Sequence, residues 1–376
     1  MADTFYYSRD TLVHLTDSAG AIYKIPVLDG FSFSQATNAT EVTLNEMATS
    51  GVSRRARQMF TDSYAPAEWS FQTYIRPFTS DGGGSSGEHS SAFSHVVEEA
   101  LWNALAGNKA IGVTADATGG PGFTAPDANG ADLAFTNSNR PALDTFDLFF
   151  ELGSGKSNPT IYKIEGCVVN EVSIDFDIDG IATANWSGMG KIITEESSMT
   201  TATIYEGTAA ADTNNFIRNR LTDLTVTATT AEDIVGTYTL TLTGGNITVS
   251  NNMTFLTPET LGIVNQPLGH VTGTRSVSGN FTCYLNTPAS GASSADLFED
   301  IIESTTTITN DFNLVFVIGG TGNTPRVTMT LPTCHLEVPS HSIDDIISLE
   351  TTFHALPTSV DATDEITMEF VGPTVT

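Results

Sequence analysis

Positive charge is scarce in this sequence. Over 376 residues, 15 Lys and Arg stand against 44 Asp and Glu, a formal net charge of -29. The lysines end at Lys191, and only Arg218, Arg220, Arg275 and Arg326 carry positive charge after it. A protein that holds nucleic acid by its phosphates needs a basic face, so that class is excluded. Binding to anionic membrane surfaces is disfavoured on the same ground. DNA can still slide past an acidic surface without adhering. Long apolar runs are also missing: nothing approaches the roughly 18 residues of a membrane-crossing helix. The opening Met1-Ala-Asp-Thr-Phe-Tyr-Tyr-Ser-Arg has no apolar core of the secretory-signal kind. Cysteine is sparse, and Cys167, Cys283 and Cys334 are odd in number and widely spaced. They read as reduced thiols of a protein assembled in a reducing cytosol. The sequons at Asn246 and Asn280 then read as ordinary strand and turn sequence. Apolar content is not lacking: 40% apolar residues, with 21 Phe, argue for sizeable cores rather than disorder.

Helical periodicity is the next scarcity. Short alternating segments recur instead, as where Ile174, Phe176 and Ile178 interleave with Asp175, Asp177 and Asp179. Period-2 alternation marks half-buried strands. It predicts strands at 22–28, 67–76, 145–153, 160–187 (a hairpin or two successive strands), 222–229, 235–249, 276–286, 311–318, 326–338 and 345–356. Two helices are predicted. Ser91 to Ala106 puts Phe93, Val96, Val97, Ala100, Leu101 and Leu105 on one face, with Gly107 as the stop. Ser294 to Glu303 groups Leu297, Phe298, Ile301 and Ile302 likewise.

The two helices sit at matching places in a repeat. Ser70-Phe-Gln-Thr-Tyr-Ile75 is echoed by Asn280-Phe-Thr-Cys-Tyr-Leu285, and His95–Leu101 by Asp296–Ile302. Phe146–Gly153 is echoed by Phe312–Gly319, Pro159 by Pro325, Ile164–Cys167 by Leu331–Cys334, and Ile178–Thr183 by Ile343–Ser348. This order predicts two homologous, mainly β domains, each a sandwich or barrel with one flanking α-helix. The boundary falls in the polar run 194–219, giving domains 1–205 and 206–376. Charge divides evenly: eleven basic against 26 acidic residues in 1–210, and four against 18 in 211–376. The first copy carries two extra segments, 34–66 and 108–143, and the second is shorter at both places.

Catalytic and metal-binding patterns are incomplete. His335, Glu337 and His341 could begin a zinc site, but the ligand set is unfinished, and Val168 stands where the first copy would need His335. Asp175-Phe-Asp-Ile-Asp-Gly180 opens like a calcium loop, yet Trp186 occupies the position of the bidentate Glu. Three carboxylates spaced by two residues repel one another and should face water or a wide solvated cavity. The Gly-rich stretch Asp81–Gly87 lacks the Lys and strand-to-helix setting of a phosphate loop and reads as a linker. No nucleophile elbow appears. No enzyme, cofactor or metal is expected.

The segments Val27-Leu-Asp-Gly-Phe-Ser-Phe-Ser34, Ala67-Glu-Trp-Ser-Phe-Gln-Thr-Tyr-Ile-Arg-Pro77, Ile161–Asn170 and Ile181-Ala-Thr-Ala-Asn-Trp186 resemble the major tail tube proteins of long-tailed bacteriophages. The likeness covers most of 20–195 and, through the repeat, extends more weakly over 240–372. It implies a structural virion protein, assembled in the host bacterial cytoplasm, whose rings stack around a channel for genome DNA. With two tube domains per chain, it implies a trimeric ring of pseudo-sixfold symmetry. It also implies a tape measure protein in the lumen, and tail tip or baseplate and tail terminator proteins as neighbours. DNA would pass without specific binding. By the same resemblance, 34–66 reaches an adjacent ring, where Arg54, Arg55 and Arg57 would meet carboxylates. Asp175, Asp177, Asp179, Asp344 and Asp345 are the candidates for the lumen. The 108–143 segment is expected on the outside. A tandem β-sandwich adhesin, binding a receptor or carbohydrate, is the alternative.

Overall fold

The computed structural model describes residues 5–42, 51, 58–79, 94–107, 123–124, 130–135, 143–199, 204–205, 214–228, 236–257, 267–287, 292–303, 312–322 and 324–373. In the first half, alternating sequence forms β1 (Thr11–Thr16), β2 (Ile22–Ile25), β3 (Ser32–Val42), β4 (Gln58–Tyr74), β5 (Pro77–Thr79) and β6 (Ser94–Val96). After α1 (Glu99–Leu105) come β7 (Phe123–Thr124), β8 (Ala131–Ala134), β9 (Phe146–Leu152), β10 (Thr160–Asp177), β11 (Thr183–Gly190), β12 (Ile192–Glu196) and β13 (Ile204–Tyr205). The second half begins with β14 (Asp223–Ala228), β15 (Thr237–Thr239), β16 (Thr241–Ser250), β17 (Thr254–Leu256), β18 (Gly269–Val271) and β19 (Ser276–Tyr284). It ends with α2 (Ser294–Glu303), β20 (Phe312–Ile318), β21 (Arg326–Leu336), β22 (Ser340–Ile343), β23 (Ile347–Ala355) and β24 (Thr367–Val371).

One long strand in each half belongs to two sheets. In the first half the antiparallel order β2–β1–β9–β10–β12 forms one sheet. Beyond a bulge between Ile164 and Cys167, the rest of β10 pairs with β11, which continues to β4 and β3. Gly166 turns this bulge at φ 60°, a conformation that L side chains seldom adopt, and its N–H donates to Asp147 Oδ1 at 2.9 Å. The second half follows the same scheme. Strands β15–β14–β20–β21–β24 form one sheet, and β21 continues beside β23, β19 and β16. Its irregularity falls between Leu331 and Cys334. The two matching thiols lie alike: Cys167 Sγ donates to Ile164 O at 3.4 Å and Cys334 Sγ to Leu331 O at 3.9 Å. All three cysteines are buried without disulfides. Burial raises the thiol pKa of each, that of Cys334 to about 12.

The halves join through backbone pairing. β16 lies antiparallel to the outer part of β10, from Glu171↔Ser250 through Asp175↔Asn246 to Asp177↔Gly244. A continuous sheet therefore runs β3–β4–β11–β10–β16–β19–β23–β22. A single apolar core extends under both halves. Helix α1 sits inside it with every residue buried; Trp102 packs edge-on against Trp186 (4.7 Å) and at 5.4 Å from Phe370.

Helix α2 occupies the predicted span, but α1 is shorter than its sequence implied. Ser94–Val96 pairs as β6 with β5, because a nearby strand supplies backbone partners that the apolar spacing cannot reveal. The described residues 34–42 and 58–66 of that stretch are regular: they continue β3 and β4 as an antiparallel pair with two register shifts. The second half has its own arm in that place, β17–β18 between β16 and β19. Part of the 108–143 segment is interior rather than external. β8 pairs with β24 across the halves, and Ala131, Leu133 and Phe135 are buried. The Gly-rich 81–87 stretch lies outside the described residues.

Candidate functional site

Along the continuous sheet, alternate side chains divide sharply. Val172, Ile174, Phe176, Ala184, Trp186, Ile247, Val249, Phe281 and Phe353 face the core. Their neighbours form the opposite face: Gln72 on β4, Thr183 and Asn185 on β11, Glu171, Ser173 and Asp175 on β10, and Asn246 and Thr248 on β16. Ser278 and Asn280 on β19, then Glu350 and Thr352 on β23, complete it. These groups bond across strands. Asn185 Nδ2 donates to Asp175 Oδ2 at 2.9 Å, Gln72 Nε2 to Asn185 Oδ1 at 2.9 Å, and Asn280 Nδ2 to Glu350 Oε1 at 3.3 Å. Among the described residues, no Lys or Arg projects from this face on any of those strands. The surface is hydroxylic, amidic and acidic, with no fixed cation to hold a phosphate.

All five predicted acidic residues are exposed. Asp175 and Asp177 project from β10 onto the polar face. Asp179 does not share the strand, which ends at Asp177; it lies in the following turn, 3.8 Å from Arg220. Gly180 at φ 107° shapes that turn. Asp344 and Asp345 occupy the turn between β22 and β23 at the sheet's far end, and Ser342 Oγ donates to Asp344 Oδ2 at 3.3 Å. Arg54, Arg55 and Arg57 fall in the β3–β4 connection, outside the described residues.

The sheet has two terminal strands. β3 pairs with β4 on one side, and β22 pairs with β23 on one side; among the described residues neither has a partner on the other. Exposed apolar residues gather near both. Val42, Met59 and Phe60 lie along the β3–β4 hairpin, while Val338, Ile343 (78% exposed) and Ile346 (61%) flank β22. Unpaired edges and exposed apolar groups together mark surfaces built to be covered.

The earlier zinc candidates separate. His335 lies opposite His354 in the ladder, Glu337 Oε1 is 3.3 Å from His354 Nε2, and His341 stacks edge-on against Phe298 at 4.5 Å. Among the described residues no three His, Cys, Asp or Glu converge as metal ligands. The Ser, Thr and Asn face went unnoticed in the sequence; its sign was the frequency of these residues at alternate positions of the strands.

A family model described as phage tail tube protein matches residues 27–372. Tail tube protein pb6 of Escherichia phage T5 is 29% identical over 350 residues, covering 91% of this chain and 69% of pb6. A match of that extent, on a β fold whose sheet ends in two coverable edges, settles the class: the chain belongs to the phage tail tube protein family and is a structural component of a virion tail.

Proposed function

We propose that three copies of this chain close into a ring of pseudo-sixfold symmetry, and that stacked rings form an acidic conduit for genome DNA. The observation that carries the reading is the β10–β16 junction. Within one chain it already joins one half to the next, edge to edge, in a single sheet. The second half ends in β22, at the place where the first half offers the outer part of β10. The chain begins its sheet with β3, at the place where the second half offers β16. Repeating the internal junction between chains brings β22 of one copy against β3 of the next. The matched register places Ser340 opposite Ser34 and Ser342 opposite Ser32. Closure pairs every edge, which an open sheet does not.

In that ring the lysine- and arginine-free face lines the channel. Asp175 and Asp177 there repel DNA phosphates, and the hydroxyl and amide groups offer only neutral contacts. Asp179, Asp344 and Asp345 sit at one rim. The β3–β4 hairpin projects at the opposite end of the sheet, where Arg54, Arg55 and Arg57 would meet acidic groups of the adjacent ring. The two similar halves support a duplicated tube domain. A tape measure protein in the lumen, and tip, baseplate and terminator proteins at the tube's ends, are the partners this role calls for, with assembly in the host cytoplasm. The tandem-adhesin alternative would leave both sheet edges uncovered.

Electron microscopy of assembled tubes tests the ring. Three chains per ring with sixfold-like density are expected; six chains per ring, or isolated monomers at high concentration, overturn the proposal.

A further inference from the structure

The chain contains one docked arm and one projecting arm, and the docked arm is a template for the other. Arm β17–β18 folds back on the first half. Met253 and Phe255 bury against Val168 and Leu143, with Met189 beside them. The contact is fixed by polar bonds: Met253 N–H donates to Asn170 Oδ1 at 2.7 Å, Asn251 N–H to Asn170 O at 2.8 Å, and Leu143 N–H to His270 Nε2 at 3.1 Å. Val168 and Met189 are cross-strand partners in β10 and β11. Their counterparts in the second half are His335 and His354, also cross-strand partners, and Asn170 corresponds to Glu337. An apolar seat in one half is thus an exposed His–His–Glu cluster in the other. The β3–β4 arm differs to match. Counting outward from Ser32 and Asn246, Glu41 takes the place of Phe255 and Ala39 that of Met253.

We infer that His335, His354 and Glu337 form the seat for the β3–β4 arm of a neighbouring copy, with Glu41 over the two imidazoles. The inference rests on the ring reading and names the side chains that lock its joint. Charge complementarity supports it: among the described residues the seat has the only side chains on the polar sheet face that can become cationic, and the arm brings carboxylate. Among the described residues, the charged or titratable groups around the seat are His335, His354 and Glu337 from β21 and β23; from β19, Ser276 and Ser278 adjoin. The arm contributes Glu41, Asp62 and, nearer the sheet, Glu68. A protonated imidazole attracts carboxylate, so protonation strengthens the joint toward Glu41 and also toward Glu337. The first-half junction has Val168 and Met189 at these places and responds the other way, because His270 Nε2 accepts the Leu143 N–H and loses that bond when protonated. One joint per chain is therefore strengthened by protons, and the covalently linked one is not.

Two double-cysteine variants test this, each treated with a short thiol-reactive crosslinker and read on denaturing gels against the untouched protein. Ser34→Cys with Ser340→Cys reports the edge pairing of the ring; Glu41→Cys with His354→Cys reports the seat. Covalent trimers from both support the inference. Trimers from the first variant alone leave the ring standing and overturn the seat. Trimers from the second alone support the seat and overturn the proposed register. Trimers from neither overturn both. As a second readout, the concentration needed for assembly should drop by about twofold to fivefold from pH 8 to pH 6, as expected for one exposed ion pair. His335→Val with His354→Met should abolish that drop, and a drop of unchanged size in this variant refutes the inference.

Discussion

Trp102 is the side chain on which the two halves converge. It is fully buried, touching Trp186 from β11 and Phe370 from β24. Trp102→Ala should lower stability by about 3–5 kcal/mol, the range for removing a buried Trp or Phe, in a urea titration of the monomer. A loss below about 1 kcal/mol would mean that α1 is not a keystone of the core. Close by, Glu98 is wholly buried, with Arg76 Nη2 3.2 Å from Oε1. Burial pushes its pKa up to about 7, and Arg76 offsets this only in part. Between the ordinary value of 4.5 and about 7 the folded protein holds a proton that the unfolded chain has released. Stability from this carboxyl is complete below that window and falls as pH rises through it. Wild type should accordingly lose stability relative to Glu98→Gln from pH 4.5 to 7. Parallel pH profiles of the two proteins would refute the assignment. Neither role was visible in the sequence.

At the scale of elements, alternation located most strands because burial on one face imposes period 2. Strands β10, β19, β20, β21 and β23 read clearly for that reason. β3 and the outer part of β4 did not, since both of their faces are largely exposed in the single chain and no apolar stripe marks them. β6 failed differently: Val96 and Val97 fit a helical face, but Ser94–Val96 found a strand partner in β5. The exposed β3–β4 hairpin makes a prediction at this scale. Reversing the charge of Arg54, Arg55 and Arg57 together should abolish tube formation and leave the circular dichroism and melting of the monomer unchanged. Normal tubes seen by negative-stain microscopy would remove the inter-ring role. Gly188 predicts something simpler. A Cβ there would lie 2.1 Å from Val168 O and 2.3 Å from the Trp69 ring. Gly188→Ala should thus force β10 and β11 apart and lower the melting temperature by several degrees, as roughly 1–3 kcal/mol of overpacking does in a domain of this size.

For the whole molecule, charge acquires a place. The net -29 could sit anywhere on the surface, but among the described residues of the continuous sheet no Lys or Arg stands on the polar face, while Asp175, Asp177, Glu171 and Glu350 do. If that face lines the channel, Asp175→Lys with Asp177→Lys puts six added cations in each trimeric ring. DNA should then leave phage particles carrying the variant more slowly at low salt, with the delay shrinking as ionic strength rises. Unaltered ejection kinetics at low salt would place the two side chains away from the channel.

The sequence by itself determined the β class, the order of strands and helices shared by both halves, the acidic balance, and the family likeness. Each is written in local composition or in period-2 burial, which every strand enforces residue by residue. Only the tertiary structure decided which strands meet across the halves, that β10 serves two sheets, that α1 lies inside the core, and which edges remain to be covered. These depend on partners far apart in the chain, such as Asp175 with Asn246 or β8 with β24, and no local pattern specifies a partner at that distance.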